Sequence, residues 1–163
     1  MTGTVINVTS GSQAVLTLGT TQAMAAPGGT NGLVVPLMQD VTVSASTGST
    51  RYSTLDSTAS SAFTTVNENS VSLNMLVDGA TFFGDGANAS NDIANKGLLQ
   101  TSKEKTEINF SVAFNEGNTT GEYYVEGTGF ISGLTPTASI DAAVWVSPME
   151  IIVNGELTRV IVS

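Results

Sequence analysis

The chain contains no cysteine and no histidine, and these two absences remove several common chemistries at once. Cys nucleophiles, Ser-His-Asp triads, Cys/His zinc sites and disulfides are all excluded. Basic residues are nearly as scarce: Arg51, Lys96, Lys103, Lys105 and Arg159 stand against 14 acids, for a formal net charge of −9. Gripping nucleic acid requires clustered Lys and Arg to displace phosphate counterions. Specific DNA binding is therefore not expected, whereas an acidic wall that holds a polyanion at a distance fits the charge. No hydrophobic run approaches the ~20 residues of a membrane span, so no membrane partner is expected. Met1-Thr2-Gly3-Thr4-Val5-Ile6 lacks the basic start and apolar stretch of a secretory signal, which points to synthesis in the cytoplasm. No metal or cofactor is expected, and no enzymatic activity. Asp85-Gly86-Ala87-Asn88-Ala89-Ser90-Asn91-Asp92 has oxygen-bearing residues, but Ala87 and Ala89 occupy two of the alternate positions a calcium loop needs.

Charged residues make up only 12% of the sequence, about half the usual share for a soluble domain. Their place is taken by Ser and Thr, about a quarter of the chain, with Asn and Gly besides. With 40% hydrophobic residues the composition is that of a folded protein, and its length suits a single domain. A polar but weakly charged surface suits dense packing against copies of itself.

Strand signals dominate. Ile108, Phe110, Val112 and Phe114 alternate with Glu107, Asn109, Ser111 and Ala113, the period of a half-buried strand. Val71, Leu73, Met75 and Val77 give a second such face, and Ile140, Ala142, Val144 and Val146 a third, over Ser139–Val146. Further strands are expected at Ala14–Leu18, Val34–Leu37, Val41–Ala45, Glu122–Ile131, Glu150–Val153 and Leu157–Val162. Pro36 marks the second of these as an edge strand. Asn154-Gly155 predicts a tight hairpin between the last two. One helix is expected from about Ser90 to Thr101, capped by Ser90 or Asn91 and weakened by Gly97 by roughly 1 kcal/mol. Residues 1–12, Thr20–Asn31 and Thr47–Asn69 show no clear period. The predicted fold is mainly β: a sandwich or barrel-like pair of antiparallel sheets with one short helix packed against it, a long loop and an N-terminal arm.

A helix, Asn91-Asp92-Ile93-Ala94-Asn95-Lys96-Gly97-Leu98-Leu99, leads directly into the alternating strand Glu107-Ile108-Asn109-Phe110-Ser111-Val112. Val125-Glu126-Gly127-Thr128-Gly129-Phe130-Ile131-Ser132-Gly133-Leu134 follows, with its closely spaced glycines. The closing segments are Ala138–Val146 and Ile151-Ile152-Val153-Asn154-Gly155-Glu156-Leu157. This order resembles the major tail tube proteins of long-tailed bacteriophages. The resemblance implies one domain over residues 1–163, a structural virion protein of the tail made in the host cytoplasm. Its subunits would assemble into stacked hexameric rings that form the conduit for DNA ejection. It further implies stacking through the N-terminal arm, residues 1–12, and through a loop between early strands, for which residues 47–69 are the candidate. Implied partners are copies of the chain itself and other tail proteins: tape measure, terminator, baseplate and, where the tail contracts, a sheath. DNA would pass without specific binding.

Tube proteins of this family present acids to the lumen; by alternation the candidates are Glu107, Glu126 and Asp141. Outer-surface positions or intersubunit salt bridges are the competing readings. Inter-subunit and inter-ring candidates are Val5 and Ile6 in the arm, Arg51, Tyr52 and Phe63 in the long polar stretch, and Trp145 and Arg159. Lone Arg residues in an acidic chain commonly meet a neighbour's carboxylates, and Trp is enriched at interface hot spots. A fimbrial or adhesin subunit, or a phage decoration or baseplate protein, shares the same composition. A carboxylate-pair hydrolase fits less well, because one Trp and three Tyr give no clustered aromatic-acid motif for sugar.

Overall fold

The computed structural model describes residues 14–55, 59–84, 92–115, 119–141 and 144–163. Eight strands run β1 Val15–Gly19, β2 Leu33–Val34, β3 Met38–Tyr52, β4 Ser61–Leu76, β5 Glu107–Phe114, β6 Tyr123–Ser132, β7 Val146–Val153 and β8 Thr158–Ile161. Three short helices accompany them: α1 Gln22–Ala25, α2 Gly79–Phe83 and α3 Ile93–Lys103. The strands form one antiparallel sheet in the order β2-β1-β5-β6-β7-β4-β3, with β8 also on β6. The β-rich fold with a helix packed against it is as expected, but the strands are hydrogen-bonded into one sheet rather than two.

That sheet is rolled. Its two outermost strands, β2 and β3, are consecutive in the chain and joined only by Val35, Pro36 and Leu37. Six interstrand gaps laid flat would separate them by about 29 Å, whereas four Cα steps reach at most about 15 Å. The link is tied on both sides: Val35 N donates to Leu16 O of β1 at 2.9 Å, and Leu76 N of β4 donates to Leu37 O at 3.1 Å. The barrel-like expectation therefore holds, and Pro36 does end an edge strand.

One face of the roll holds the core. Leu16, Leu18, Ile108, Phe110, Val112, Ile131, Val71, Leu73, Met75, Met149 and Ile151 are buried there with Phe82, Ile93 and Leu98 from α2 and α3. The alternation at Ile108–Val112 and Val71–Met75 was a true signal of that face. The expected helix is present, capped by Asp92, whose side chain accepts from Ala94 N at 3.1 Å. Gly97 interrupts it with φ of 79° and ψ of 161°. There its backbone lies against Gly84: a Cβ on Gly97 would sit 2.4 Å from Gly84 N. The glycine is a contact point between α2 and α3 as well as a weakness in the helix.

Three expectations are corrected. Ser139–Val146 is not a strand: residues 140–141 form a turn, Ile140 is fully exposed, and β7 starts only at Val146. The loop is closed instead by paired hydrogen bonds between Thr137 and Val146, of 2.8 and 3.1 Å. Asn154-Gly155 does not close a hairpin, because β7 and β8 lie end to end along the same edge of β6. Gly129 pairs with Val153 and Glu126 with Thr158, so residues 154–157 bulge out opposite only two residues of β6. The loop expected at 47–69 is replaced by strand over 47–52 and 61–69, the outer half of the longest hairpin, with β3 and β4 paired from Asp40↔Asn74 to Tyr52↔Ser61. Its Ser/Thr-rich sequence has no apolar alternation because neither face there is buried. Two of the helices, α1 and α2, fall in segments for which no helix was expected.

The closely spaced glycines of β6 have a packing cause. A Cβ on Gly127 would lie 3.0 Å from the Phe110 ring, and one on Gly129 would lie 2.4 Å from Ile152 O. Backbone cannot yield as a flexible side-chain tip can. Gly129→Val should therefore destabilise the domain by about 3 kcal/mol or more, the upper end of overpacking costs, as read by urea unfolding.

Candidate functional site

The face of the sheet opposite the core mixes polar side chains with exposed Phe130 and Ile152, and its charges are of one sign. Cross-strand register puts Glu107 beside Phe130, Phe130 beside Ile152, and Ile152 beside Ser70. Neighbouring rows on the same face carry Glu150 against Ser72, Glu126 against Ser111, Glu68 against Ser46, and Asp40 against Asn74. Glu107 accepts from Asn154 Nδ2 at 2.7 Å and Glu126 from Gln22 Nε2 of α1 at 2.8 Å. Asp40 accepts from the Asn74 backbone and side-chain amides at 3.0 and 2.8 Å. Helix α1 covers one end of this face, where the Ser111 hydroxyl donates to Ala25 O. Burial first, and the Glu126 charge next, hold the nearby Tyr124 phenol above its ordinary value.

All five basic residues lie elsewhere. Arg51 pairs across the hairpin with Ala62 on the core-side face, and Arg159 with Val125, whose other neighbour is the core residue Val112. Lys96 and Lys103 are on α3 and Lys105 follows it. Lys96 is paired with Glu104 at 2.8 Å, which keeps that carboxyl below its usual range. One sheet face thus carries five carboxylates and no cation.

Of the three expected acids, Glu107 and Glu126 share this face. Asp141 does not: it sits exposed in the turn at 140–141, where its backbone amide donates to Ser139 Oγ at 3.3 Å. Asp40, Glu68 and Glu150 were missed, although Glu150 is readable from the alternation of Met149, Ile151 and Val153 around it.

Beyond Ser70 the β3–β4 hairpin leaves the sheet and continues as a two-stranded ribbon. From Ser70 to Ser61 it extends about 30 Å. Nearly all its side chains are exposed, and the outer edge of β3 has no strand partner among the described residues. The outer edge of β8 is likewise open. Tyr52 and Phe63 meet near the ribbon's end on one face, ring centroids 6.0 Å apart. Arg51 is on the other face and pairs with no carboxylate among the described residues. Val5 and Ile6 lie outside the described residues. Among the described residues no group of three or more His, Cys, Asp or Glu could hold a metal ion. The open recess at the ribbon's base, lined by Thr47, Asn67, Gly155 and Glu156 among others, gathers no catalytic set.

No family model matches the sequence, and no curated protein matches it significantly. Solved structures do share its fold. A chain in the tail of an empty gene transfer agent particle, determined by helical refinement with C6 symmetry, superposes with a TM-score of 0.62. It is 11% identical, over 93% of this chain and 98% of that one. The SPP1 tail tube, a hybrid structure from solid-state NMR and cryo EM, gives 0.64 at 10% identity, over 96% of this chain and 81% of that one. The fold is that of a tail tube subunit. A chain in the virion of the native gene transfer agent particle matches similarly, at 0.62 and 12% identity, over 94% and 99% of the two chains.

In this tube-subunit fold the end of the roll far from the ribbon is the second apolar surface. Leu37, Val144 and Trp145 are about half exposed there. Leu37 O accepts from Leu76 N at 3.1 Å and Trp145 O from Val77 N at 2.9 Å, which places both residues at the C-terminal end of β4. Asp78 follows directly and caps α2, accepting from Thr81 N at 3.0 Å and Thr81 Oγ1 at 2.9 Å. The backbone bond first, and the hydroxyl next, hold this exposed carboxyl below 3.8. A lowered folded value means that the cap's contribution is full above the ordinary pKa and lost as pH falls through the folded one. Asp78→Asn should therefore flatten the acid limb of the stability curve below pH 3.8, as measured by thermal melts across pH.

Proposed function

We propose that this chain is a structural subunit of a virion tail tube. Copies pair laterally into rings of six, the rings stack, and the channel conducts DNA during ejection. The observation that carries this reading is the sheet face with five carboxylates and no base, on a fold shared with tail tubes. Facing a lumen, Glu107, Glu126, Glu150, Glu68 and Asp40 repel phosphate and leave DNA free to slide. The C6 symmetry of one structural neighbour supports six-fold rings. The open edges of β3 and β8 support lateral pairing, since exposed edges are a hazard that ring closure removes. The role is mechanical rather than catalytic. Tape measure, terminator and baseplate proteins, with a sheath in a contractile tail, are the further partners of such a subunit.

Negative-stain electron microscopy across a concentration series tests the assembly. Six-fold rings or hollow tubes with a duplex-wide channel are expected; solid fibres would overturn the conduit and favour a fimbrial subunit. The electrostatic claim has its own test. Glu107→Lys combined with Glu150→Lys should make assembled tubes retain duplex DNA in co-sedimentation at low salt, and the retention should fade as salt rises. Tubes of the unaltered chain should retain none.

A further inference from the structure

The sequence holds two Asn-Gly pairs, Asn31-Gly32 and Asn154-Gly155, and the fold treats them differently. At such a pair the backbone can attack the asparagine side chain, because glycine has no Cβ to obstruct the approach. Closing that five-membered ring turns the peptide plane between the two residues. At Asn31-Gly32 the plane is packed in place: a Cβ on Gly32 would collide with Met24 O and lie 2.9 Å from Thr17 Cγ2. The same position on Gly155, an exposed residue with φ of 96°, meets nothing within 4 Å beyond its chain neighbours. The Gly155 amide makes no hydrogen bond among the described residues. One exposed contact ties the plane, Thr128 Oγ1 donating to Asn154 O at 3.1 Å. The nucleophile is therefore free. Its target is held, since Asn154 N donates to Thr128 O at 2.8 Å and Asn154 Nδ2 to Glu107 Oε1 at 2.7 Å.

We propose that Asn154 is a self-modification site, converted through attack by Gly155 to aspartate or isoaspartate. Gly155 N gives its proton to hydroxide and bonds to Asn154 Cγ. The Cγ–Nδ2 bond breaks, and the nitrogen takes a proton from water and leaves as ammonia. Water then opens the cyclic imide: attack at Cγ gives aspartate, and attack at the backbone carbonyl gives isoaspartate. Glu107 is the residue the change acts on. Its partner at 154 is a donor before the reaction and a second carboxylate after it. Two carboxylates at hydrogen-bond distance resist being charged together. An attraction that pins the start of the 154–157 bulge to Glu107 of β5 becomes a repulsion, and the face with five carboxylates gains another.

Incubating the folded chain at mildly alkaline pH, with peptide mapping by mass spectrometry, tests the site. Conversion is expected at Asn154, as aspartate and isoaspartate together, several times faster than at Asn31. In urea, where packing no longer distinguishes the two pairs, they should react at similar rates. Folded protein in which Asn31 keeps pace with Asn154, or in which Asn154 stays an amide while the unfolded chain converts it, would overturn the assignment. The part played by Glu107 has a separate readout. Asn154→Asp should lower the melting temperature at neutral pH by a few degrees. Adding Glu107→Gln should restore it, because the pair is then a donor and an acceptor again, in reversed order. No loss in the single variant, or no recovery in the double, would overturn the switch at Glu107.

Discussion

A seven-strand path whose first and last members are joined by three residues has no flat conformation. Val35, Pro36 and Leu37 can span about 15 Å at full stretch, so β2 and β3 must come together and the sheet must roll. Everything else in the molecule depends on that closure. Rolling turns one face inward, where Phe110, Leu16, Ile151 and Val71 share a core with Phe82 and Leu98 of the helices. It turns the other face, which carries the carboxylates, outward as a curved wall. Pro36 contributes by lacking an amide proton, which stops β2 after two residues and frees the chain to cross to β3.

The same closure separates the charges. The cations of α3 stay on the core side with the helix that carries them, and Lys96 is held there by Glu104. On the opposite face three of the five carboxylates are hydrogen-bonded to neutral partners, Asn154 for Glu107, Gln22 for Glu126 and Asn74 for Asp40. Amide donors fix the orientation of these three carboxylates without neutralising them, so the face keeps its negative field.

The core strands were legible in the sequence because burial on one face writes itself as alternation. Ile108, Phe110 and Val112 are unambiguous, and the glycines of Gly127-Thr128-Gly129 report how closely the Phe110 ring and the Ile152 backbone approach. Alternation alone misleads where no partner strand exists, as at Ile140 and Val144, which are exposed. Asn154-Gly155 has the chemistry of a tight turn, but whether a turn reverses the chain or kinks it depends on what lies alongside. Here β6 accepts both β7 and β8 on one edge, a tertiary fact that no dipeptide encodes. The ribbon was hidden for the opposite reason: with neither face buried, Ser, Thr and Asn alternate with one another and leave no periodic trace. Of the acids, Glu107 and Glu126 could be placed because they lie in strongly patterned strands. Asp40 and Glu68 could not, since the register across the hairpin decides their face.

A ribbon with this composition has a physical logic of its own. Apolar alternation along an isolated edge would pair indiscriminately with any other edge, and a run of like charges would keep copies apart. Ser, Thr and Asn do neither. They leave the backbone free to pair and add little Coulomb repulsion between subunits that each carry a net charge of −9. Near the end of the ribbon stand the Tyr52–Phe63 ring pair and Arg51, and the acids of the sheet lie on a face of their own. The low charge content and the high net charge are reconciled by this division: charges are few along the ribbon, and the carboxylates gather on one face of the sheet.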